Sequence, residues 1–121
     1  MKELKIGNLL CYNGKVVRVE QITKHKIGYH TKPNETRLNY ARLCEIEPIS
    51  ITEELLLKNN FEQYGYLFKS LFIEIYETPN GWHLHVDNER FETALLMPIK
   101  HLHQLQNAYY LATGKELEIK L

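Results

Sequence analysis

The sequence predicts an α+β fold, in which a β-rich N-terminal half precedes an antiparallel β-meander and a C-terminal helix. Three observations carry this prediction. Asn13-Gly14 separates two short apolar runs, Asn80-Gly81 separates two alternating segments, and an apolar stripe at helical spacing follows Pro98. The composition agrees with a globular fold, since 44% of the 121 residues are apolar and 25% are charged. The length suits one domain or two very small ones.

Residues 1–48 are predicted to form a small SH3-like β-barrel. Asn13-Gly14 favours a type I′ hairpin, because both turn residues tolerate the positive φ that this turn needs. Alternation places Val17, Val19 and Gln21 on one face of the second strand. Four or five short strands in such a short segment are typical of a small barrel. The predicted strands are Leu9–Tyr12, Lys15–Thr23, His25–His30 and Leu38–Ile46.

A short helix, Glu53–Lys58, is predicted to link the two halves. Thr52 can cap it, because its hydroxyl accepts a hydrogen bond from an otherwise unpaired amide. Glu53 and Glu54 in the first turn favour the helix dipole, and Asn59-Asn60 can supply a left-handed residue at the end.

Residues 49–121 are predicted to form a three-stranded antiparallel meander with a C-terminal helix, either as a second subdomain or as one continuous domain with the first half. A two-residue turn at Asn80-Gly81 pairs Tyr76 with His85, and a turn at Asn88-Glu89 pairs Glu92 with His85. The predicted strands are Ser70–Thr78, Trp82–Asp87 and Arg90–Met97. The predicted core face contains Leu71, Ile73, Ile75, Trp82, Leu84, Val86 and Phe91. The opposite face contains Phe72, Glu74, Tyr76, His83, His85 and Glu92.

The C-terminal helix is predicted over residues 99–113. Pro98 suits its first turn, and Gly114 is a typical C-terminal stop. Leu102, Leu105, Tyr109 and Ala112 share one stripe, which predicts packing on the sheet. A final edge strand, Glu116–Leu121, is predicted from its alternation of apolar and charged residues.

Charge is distributed unevenly along the chain, although the total is zero. Residues 1–48 hold nine Lys or Arg against five Asp or Glu, whereas residues 49–121 hold six against ten. This asymmetry is typical of a basic binding surface, and equally of two halves that dock on each other. The candidate binding residues are Arg18, Lys24, Lys26, Arg37, Tyr29 and Tyr40.

A second candidate site comprises His83, His85 and Glu92. Residues two apart on a strand point to the same face, so a His-x-His pair beside a carboxylate is a starting point for a divalent metal site. The same His–Glu pair could serve acid–base chemistry, but no nucleophile accompanies it. A polar, partly solvated sheet face explains these residues more simply. The sequence therefore predicts no cofactor and does not point to an enzyme.

The chain is expected to be cytoplasmic and to have no membrane partner. It begins with charged residues and lacks the long apolar run of a secretion signal. No apolar stretch approaches the length that spans a bilayer. Cys11 and Cys44 form no Cys-x-x-Cys pair, and free thiols are the expected state, with a disulfide as the alternative.

Three segments resemble a family of small uncharacterised proteins from gut Bacteroidetes, often encoded in prophages or other mobile elements. They are Ile6–Asn8, Ile46–Phe61 and His101–Leu117, of which the His-Gln-Leu-Gln-Asn helix is the most specific. The resemblance implies a lineage and a cellular setting. It carries no activity or site residue, because no function is established for the family.

Three functions follow as expectations. The first is a non-catalytic binding or accessory protein of a phage or mobile element, acting through protein contacts with a partner or with further copies of itself. The second is nucleic-acid binding, with cations on phosphates and tyrosines under bases. The third is a metal-dependent enzyme at His83 and His85.

Overall fold

The computed structural model describes residues 4–70, 73–88 and 91–121, with side chains except at 86–88, 91–97 and 112. It is a mixed α+β structure, mostly antiparallel strands, with a helix towards the C-terminus. The chain divides between Ile49 and Ser50 into two compact units, unit 1 and unit 2. The strands of unit 1 are β1 Leu9–Tyr12, β2 Lys15–Arg18, β3 Gln21–Ile22, β4 Lys26–Tyr29, β5 Asn39–Arg42 and β6 Ile46–Glu47. The elements of unit 2 are α1 Glu53–Lys58, β7 Glu62–Tyr64, β8 Leu67–Ser70, β9 Ile73–Thr78, β10 Gly81–Asn88, β11 Phe91–Ile99 and α2 Leu102–Thr113.

The first hairpin of unit 1 confirms the prediction made from Asn13-Gly14. Both residues have positive φ, 50° and 75°, as a type I′ turn requires. The turn sets the register of β1 and β2, in which Leu10 faces Val17. Both of these side chains are buried.

Unit 1 contains two three-stranded antiparallel sheets, in the orders β2-β1-β6 and β3-β4-β5. The Glu20 amide donates to the Gly28 carbonyl at 2.8 Å, while Gln21 is the strand partner of Gly28. Two residues therefore face one, as in a β-bulge, and the chain bends from the first sheet into the second. The bend turns Gln21 away from the buried side of Val17 and Val19, contrary to the predicted alternation.

The two sheets of unit 1 share one hydrophobic core. Among the described residues, the strand pairings do not close a barrel. The buried members of the core are Leu10, Val17, Val19, Ile27, Tyr29, Ala41 and Ile46.

Unit 2 begins with α1, which has the predicted bounds. The Thr52 hydroxyl accepts a hydrogen bond from the Leu55 amide at 3.1 Å, as expected of an N-cap. Asn60 has φ 67° after the helix, which confirms a left-handed residue at this end. The helix buries Leu55 and Leu56.

The meander of unit 2 has five strands in the order β11-β10-β9-β8-β7, whereas three were predicted. Ser70 belongs to β8 and pairs with Ile73 of β9, so the predicted strand Ser70–Thr78 is two strands. A break between these two strands was hard to predict, because Leu71-Phe72, which lie between them in the sequence, are not typical turn residues. The β7–β8 hairpin was also missed, although Gly65 between these strands has φ 64°.

The hairpin of β9 and β10 is shifted by two residues from the predicted register. Thr78 pairs with Gly81, so Pro79 and Asn80 form the turn instead of Asn80-Gly81. Proline suits the first central position of a β-turn, and Gly81 takes the positive φ of 114°. A shift of two preserves the faces, and Ile73, Ile75 and Leu84 are buried as predicted.

The pairing of β10 with β11 differs more from the prediction. Asn88 pairs with Phe91, but Val86 pairs with Leu95, so β11 carries two extra residues at an irregularity. His85 therefore faces Leu96, and the predicted pairing of His85 with Glu92 is wrong. The side chains of Val86, Phe91 and Glu92, like residues Leu71 and Phe72, lie outside the described part of the chain.

Helix α2 starts three residues later than predicted, because Pro98 and Ile99 belong to β11. Proline is tolerated there since β11 is an edge strand in the sheet order. The Gln104 side chain accepts from the Lys100 and His101 amides at 2.8 and 3.0 Å, which fixes the start of the helix. Leu102 and Leu105 are buried as predicted, and Gly114 ends the helix at φ 73°.

The segment after α2 forms no strand, contrary to the prediction for Glu116–Leu121. The Asn59 amide group instead holds it. Asn59 Nδ2 donates to the Lys120 carbonyl at 2.8 Å, and Asn59 Oδ1 accepts from the Lys120 amide at 2.5 Å. Two hydrogen bonds to the Asn59 side chain thus take the place of the strand pairing that the alternation predicted.

Among the described residues, no helix has the length and apolar character needed to cross a membrane.

Candidate functional site

The outward side of the β3-β4-β5 sheet combines an exposed aromatic ring with cations. We call it the basic face and define it by Gln21, Lys26, Tyr40 and Arg42. All four side chains point away from the core, because Ile27 and Ala41 on the same strands are buried. Tyr40 is 52% exposed.

Lys26 and Arg42 are direct cross-strand partners on the basic face. Like charges directly opposite each other destabilise a sheet, because Cβ atoms at such positions lie only about 4.5–5.5 Å apart. Arg42 is partly neutralised, since its Nε lies 3.8 Å from Glu45 Oε1. The pair concentrates positive charge at one place on the sheet.

A glycine lies opposite the ring of the basic face. Gly28 is the strand partner of Tyr40. A Cβ atom on Gly28 would lie 3.1 Å from Gln21 Cβ and 3.3 Å from Leu38 Cδ1. A larger residue at this position would therefore displace these two side chains. The side chains of Gln21 and Leu38 thus cover Gly28, the strand partner of Tyr40.

The other basic residues singled out from the sequence lie at separate places in unit 1. Lys24 is in the β3–β4 hairpin loop, where the Thr23 amide donates to the Lys26 carbonyl at 2.9 Å. Arg18 is exposed on β2, in the other sheet. Arg37 is exposed in the loop before β5. The structure thus places Lys26, Tyr40 and Arg42 on one sheet, and Lys24 in the loop that joins two of its strands.

Tyr29 is not a surface residue, contrary to its proposed role under a base. It is 9% exposed and belongs to the core of unit 1. Its ring centroid lies 5.8 Å from that of Tyr12, with the planes tilted by 57°. Burial, with a smaller contribution from Tyr12, raises the pKa of Tyr29. The burial of Tyr29 could have been predicted, because Tyr29 lies two residues from Ile27 on one strand and both side chains face the same way.

The second candidate surface is the side of the meander opposite its core. His83 and His85 each have a hydrogen-bonding partner on β9. His83 Nδ1 lies 3.2 Å from Thr78 Oγ1, and His85 Nδ1 lies 3.2 Å from Glu74 Oε2. The carboxylate beside His85 is therefore Glu74 of β9. The predicted Glu92 belongs to β11, on the other side of β10.

Glu74 is the centre of a small polar network. Its Oε2 accepts a hydrogen bond from the Tyr76 hydroxyl at 2.8 Å, and its Oε1 lies 3.8 Å from Lys69 Nζ. The Tyr76 hydrogen bond lowers the pKa of Glu74, and His85 and Lys69 add to this effect against partial burial. The same hydrogen bond raises the pKa of Tyr76. Glu74 is thus stabilised as a carboxylate and orients His85.

This network does not amount to a metal site. Among the described side chains, no group of three His, Cys, Asp or Glu residues could hold a metal ion. The side chain of Glu92, the third predicted ligand, is not among those that the structure describes. The arrangement can fix His85 in one tautomer, with Nδ1 donating to Glu74, but among the side chains that the structure describes it places no nucleophile beside His85. Cross-strand stabilisation of the sheet accounts for these contacts.

We expect the Glu74 network to make unit 2 less stable in acid. A carboxyl group whose pKa is lowered in the folded state contributes stability above its unfolded pKa, and this contribution is lost as the pH falls through the folded pKa. Melting of the wild type should therefore shift down below about pH 4.5, the ordinary value for this group. Glu74→Gln should be less stable at pH 7 by about 1 kcal/mol and should lose less on acidification.

Thermal melts of both proteins between pH 7 and pH 3 measure this effect. Glu62→Gln, on the exposed strand β7, is a matched control. A Glu74→Gln deficit that stays constant over this range would show that ionisation of Glu74 does not stabilise the fold.

A carboxyl pair elsewhere in unit 2 was not visible in the sequence. The Glu77 carboxyl group of β9 shares a hydrogen bond with Glu53 of α1, which raises the pKa of Glu77. The contact depends on how the helix packs against the sheet, so no local pattern could reveal it.

Comparison with known proteins identified no relative. No family model, curated protein or solved structure matches the chain.

Proposed function

We propose that this chain is a non-catalytic binding protein, and that its basic face docks on an acidic segment of a partner protein. The observation that carries the proposal is the pair of cations, Lys26 and Arg42, placed directly opposite each other beside the exposed ring of Tyr40. Such a pair reduces the stability of the sheet, and carboxylates of a partner would offset that cost.

The composition of the face also supports a protein partner. Tyrosine and arginine are enriched at the energetic centres of protein interfaces, because they combine large contact area with polar groups. The surplus of basic residues in residues 1–48 extends the positive field and would steer an acidic partner towards unit 1.

Three further proposals accompany this function. We propose an SH3-like arrangement for unit 1, supported by a bent chain that joins two sheets around one core. We propose a phage or mobile-element accessory role in the cytoplasm, supported by the resemblance at Ile46–Phe61 and His101–Leu117. A second copy of the chain is a further partner to test, since residues 49–121 carry an acidic surplus.

Charge reversal on the face tests the proposed function. Lys26→Glu/Arg42→Glu should weaken binding of a fluorescent polyglutamate peptide by about tenfold or more, because two attractive contacts become repulsive. Fluorescence anisotropy at low salt measures the affinity, and amide spectra verify that each variant is folded.

Arg18→Glu/Arg37→Glu is the matched control for this experiment. It changes the net charge of unit 1 equally, but its positions lie off the basic face. It should weaken binding much less than the Lys26/Arg42 pair. Equal losses in both double variants would mean that net charge, and not the face, attracts polyglutamate. Adding Lys24→Glu to the first pair should weaken binding further.

Binding of single-stranded nucleic acid is the second candidate, favoured by the exposed ring of Tyr40 beside two cations. The burial of Tyr29 removes one of the two rings on which this function was based. If it holds, Tyr40→Ala should weaken binding of an oligothymidylate by about tenfold, because base stacking on an aromatic ring contributes about 1–3 kcal/mol. No retardation of the oligonucleotide at low salt would exclude this function.

A further inference from the structure

Unit 1 contains a cavity of about 270 Å³ between the β1–β2 hairpin and the end of β4. This volume is below the range of about 300–1,000 Å³ that is usual for drug-sized ligands. It suits one side chain of a partner better than a whole cofactor. The residues that matter for recognition are Tyr12, Lys15, Val17, Tyr29 and His30.

The inner part of the cavity is aromatic and apolar. Tyr12 and Tyr29 contribute two rings at a tilt of 57°, and Val17 behind them is buried. Lys15 lies on the same side of the hairpin as Tyr12, because the two residues are strand partners. Tilted aromatic rings favour a third ring, because the edge of one ring can meet the face of another.

The outer part of the cavity favours negative charge. Lys15 is exposed on the hairpin, directly before Val16. Among the described residues that line the cavity there is no Asp or Glu. His30 is held in place, because its Nδ1 donates to the Arg37 carbonyl at 3.2 Å. A cationic ligand would find no counter-charge in this lining, whereas a carboxylate beside the cavity would meet Lys15.

We infer that this cavity anchors one aromatic side chain of an acidic peptide segment in a partner protein. The inference rests on the proposed function and adds to it a second contact in unit 1. The aromatic side chain would enter between Tyr12 and His30, while neighbouring carboxylates of the segment meet Lys15. Aromatic side chains that fill well-packed pockets are typical interface hot spots, and complementary charges around them add specificity.

A set of short peptides tests the inference with the full chain. The first is glutamate-rich with one central phenylalanine, the second has alanine in place of that phenylalanine, and the third has phenylalanine among glycine and serine residues. We expect the first to bind about tenfold more tightly than the second, because a buried aromatic side chain adds one to a few kcal/mol. The third peptide should bind much more weakly than the first.

Amide chemical shifts locate the bound peptide, and two variants verify the location. The phenylalanine peptide should shift the amides of Tyr12, Val16 and His30, and the alanine peptide should not. Tyr12→Leu keeps apolar volume but removes the ring. Lys15→Glu places a carboxylate at an exposed position on the Tyr12 side of the hairpin, so it tests the cavity even if Tyr12→Leu fails to fold. Tyr12→Leu should reduce the affinity for the first peptide to that for the second, and Lys15→Glu should weaken binding of the first peptide.

The outcomes separate this inference from the proposed function. Equal binding of the two acidic peptides would overturn the anchor but leave the basic face as a docking site. Failure of both acidic peptides to bind would overturn the proposed function and the anchor together. Concentration-dependent self-association that Lys15→Glu abolishes would assign the cavity to a second copy of the chain and overturn the peptide as its occupant. Oligothymidylate that causes the same amide shifts would likewise overturn the inference that the cavity holds a peptide side chain.

Discussion

Replacement of Phe68 by alanine is expected to destabilise unit 2 by about 3–5 kcal/mol, the usual cost of removing a fully buried ring. Phe68 has no exposed surface and is the strand partner of Ile75. Its ring meets that of Trp82 edge-on, with centroids 5.6 Å apart. The variant loses both apolar burial and this ring contact, and the strands cannot close over the space without moving.

Denaturant titration followed by tryptophan fluorescence measures the loss, because Trp82 is the single tryptophan of the chain and lies beside the substituted ring. Tyr66→Ala is the matched control. Tyr66 is 77% exposed, so this variant should change the free energy of unfolding by less than about 0.5 kcal/mol. A cost of Phe68→Ala as small as that of the control would contradict the core packing described for the meander.

The second large effect is expected in unit 1. Leu10→Ala should destabilise it by about 2–5 kcal/mol, because Leu10 is fully buried in the core that both sheets share. The same core contains Ile27 and Ala41, which lie on the inner side of the strands that carry the basic face. Loss of this core should therefore also remove binding of polyglutamate at temperatures where the wild type binds.

Amide hydrogen exchange measures this effect, because Trp82 reports on the other unit. Protection of the β1, β2 and β4 amides should fall in Leu10→Ala. Ile6→Ala, at a position 61% exposed, is the control and should leave that protection nearly unchanged. Unaltered protection in Leu10→Ala would show that the shared core does not stabilise the two sheets.

Local chemistry predicted the ends of elements well. The positive φ at Asn13 and Gly14, the hydroxyl cap of Thr52 and the left-handed Gly114 each follow from the residue itself and its immediate neighbours. The alternation of Ile73 and Ile75 also placed the core face correctly, although the hairpin register was shifted by two. An even shift exchanges partners but not faces.

Features that depend on distant residues were not predictable in the same way. The final segment alternates as a strand should, yet the Asn59 side chain satisfies the Lys120 backbone in place of a neighbouring strand. The position of Pro98 in β11 depends on its being in an edge strand, which the sequence alone does not show. The pairing of Asn88 with Phe91 and two extra residues in β11 together changed the partner of His85 from Glu92 to Leu96.

The candidate site was predictable in part. The concentration of basic residues in the first half indicated the unit, but not the sheet face on which they meet. Arg42 is one of the basic residues of the first half, but its cross-strand position opposite Lys26 becomes visible only in the fold. The cavity beside Tyr12 and Tyr29 needs the tertiary fold, since its two rings belong to different sheets.

The most direct test of the central claim is a map of where polyglutamate binds. Amide spectra of the full chain, recorded during a titration at low salt, should show the largest shift changes at Lys26, Tyr40 and Arg42, and added salt should reverse them. Oligothymidylate at the same charge concentration should cause weaker changes at these amides. No shift changes on the basic face with polyglutamate, or tight binding of oligothymidylate alone, would contradict a face that docks an acidic partner protein.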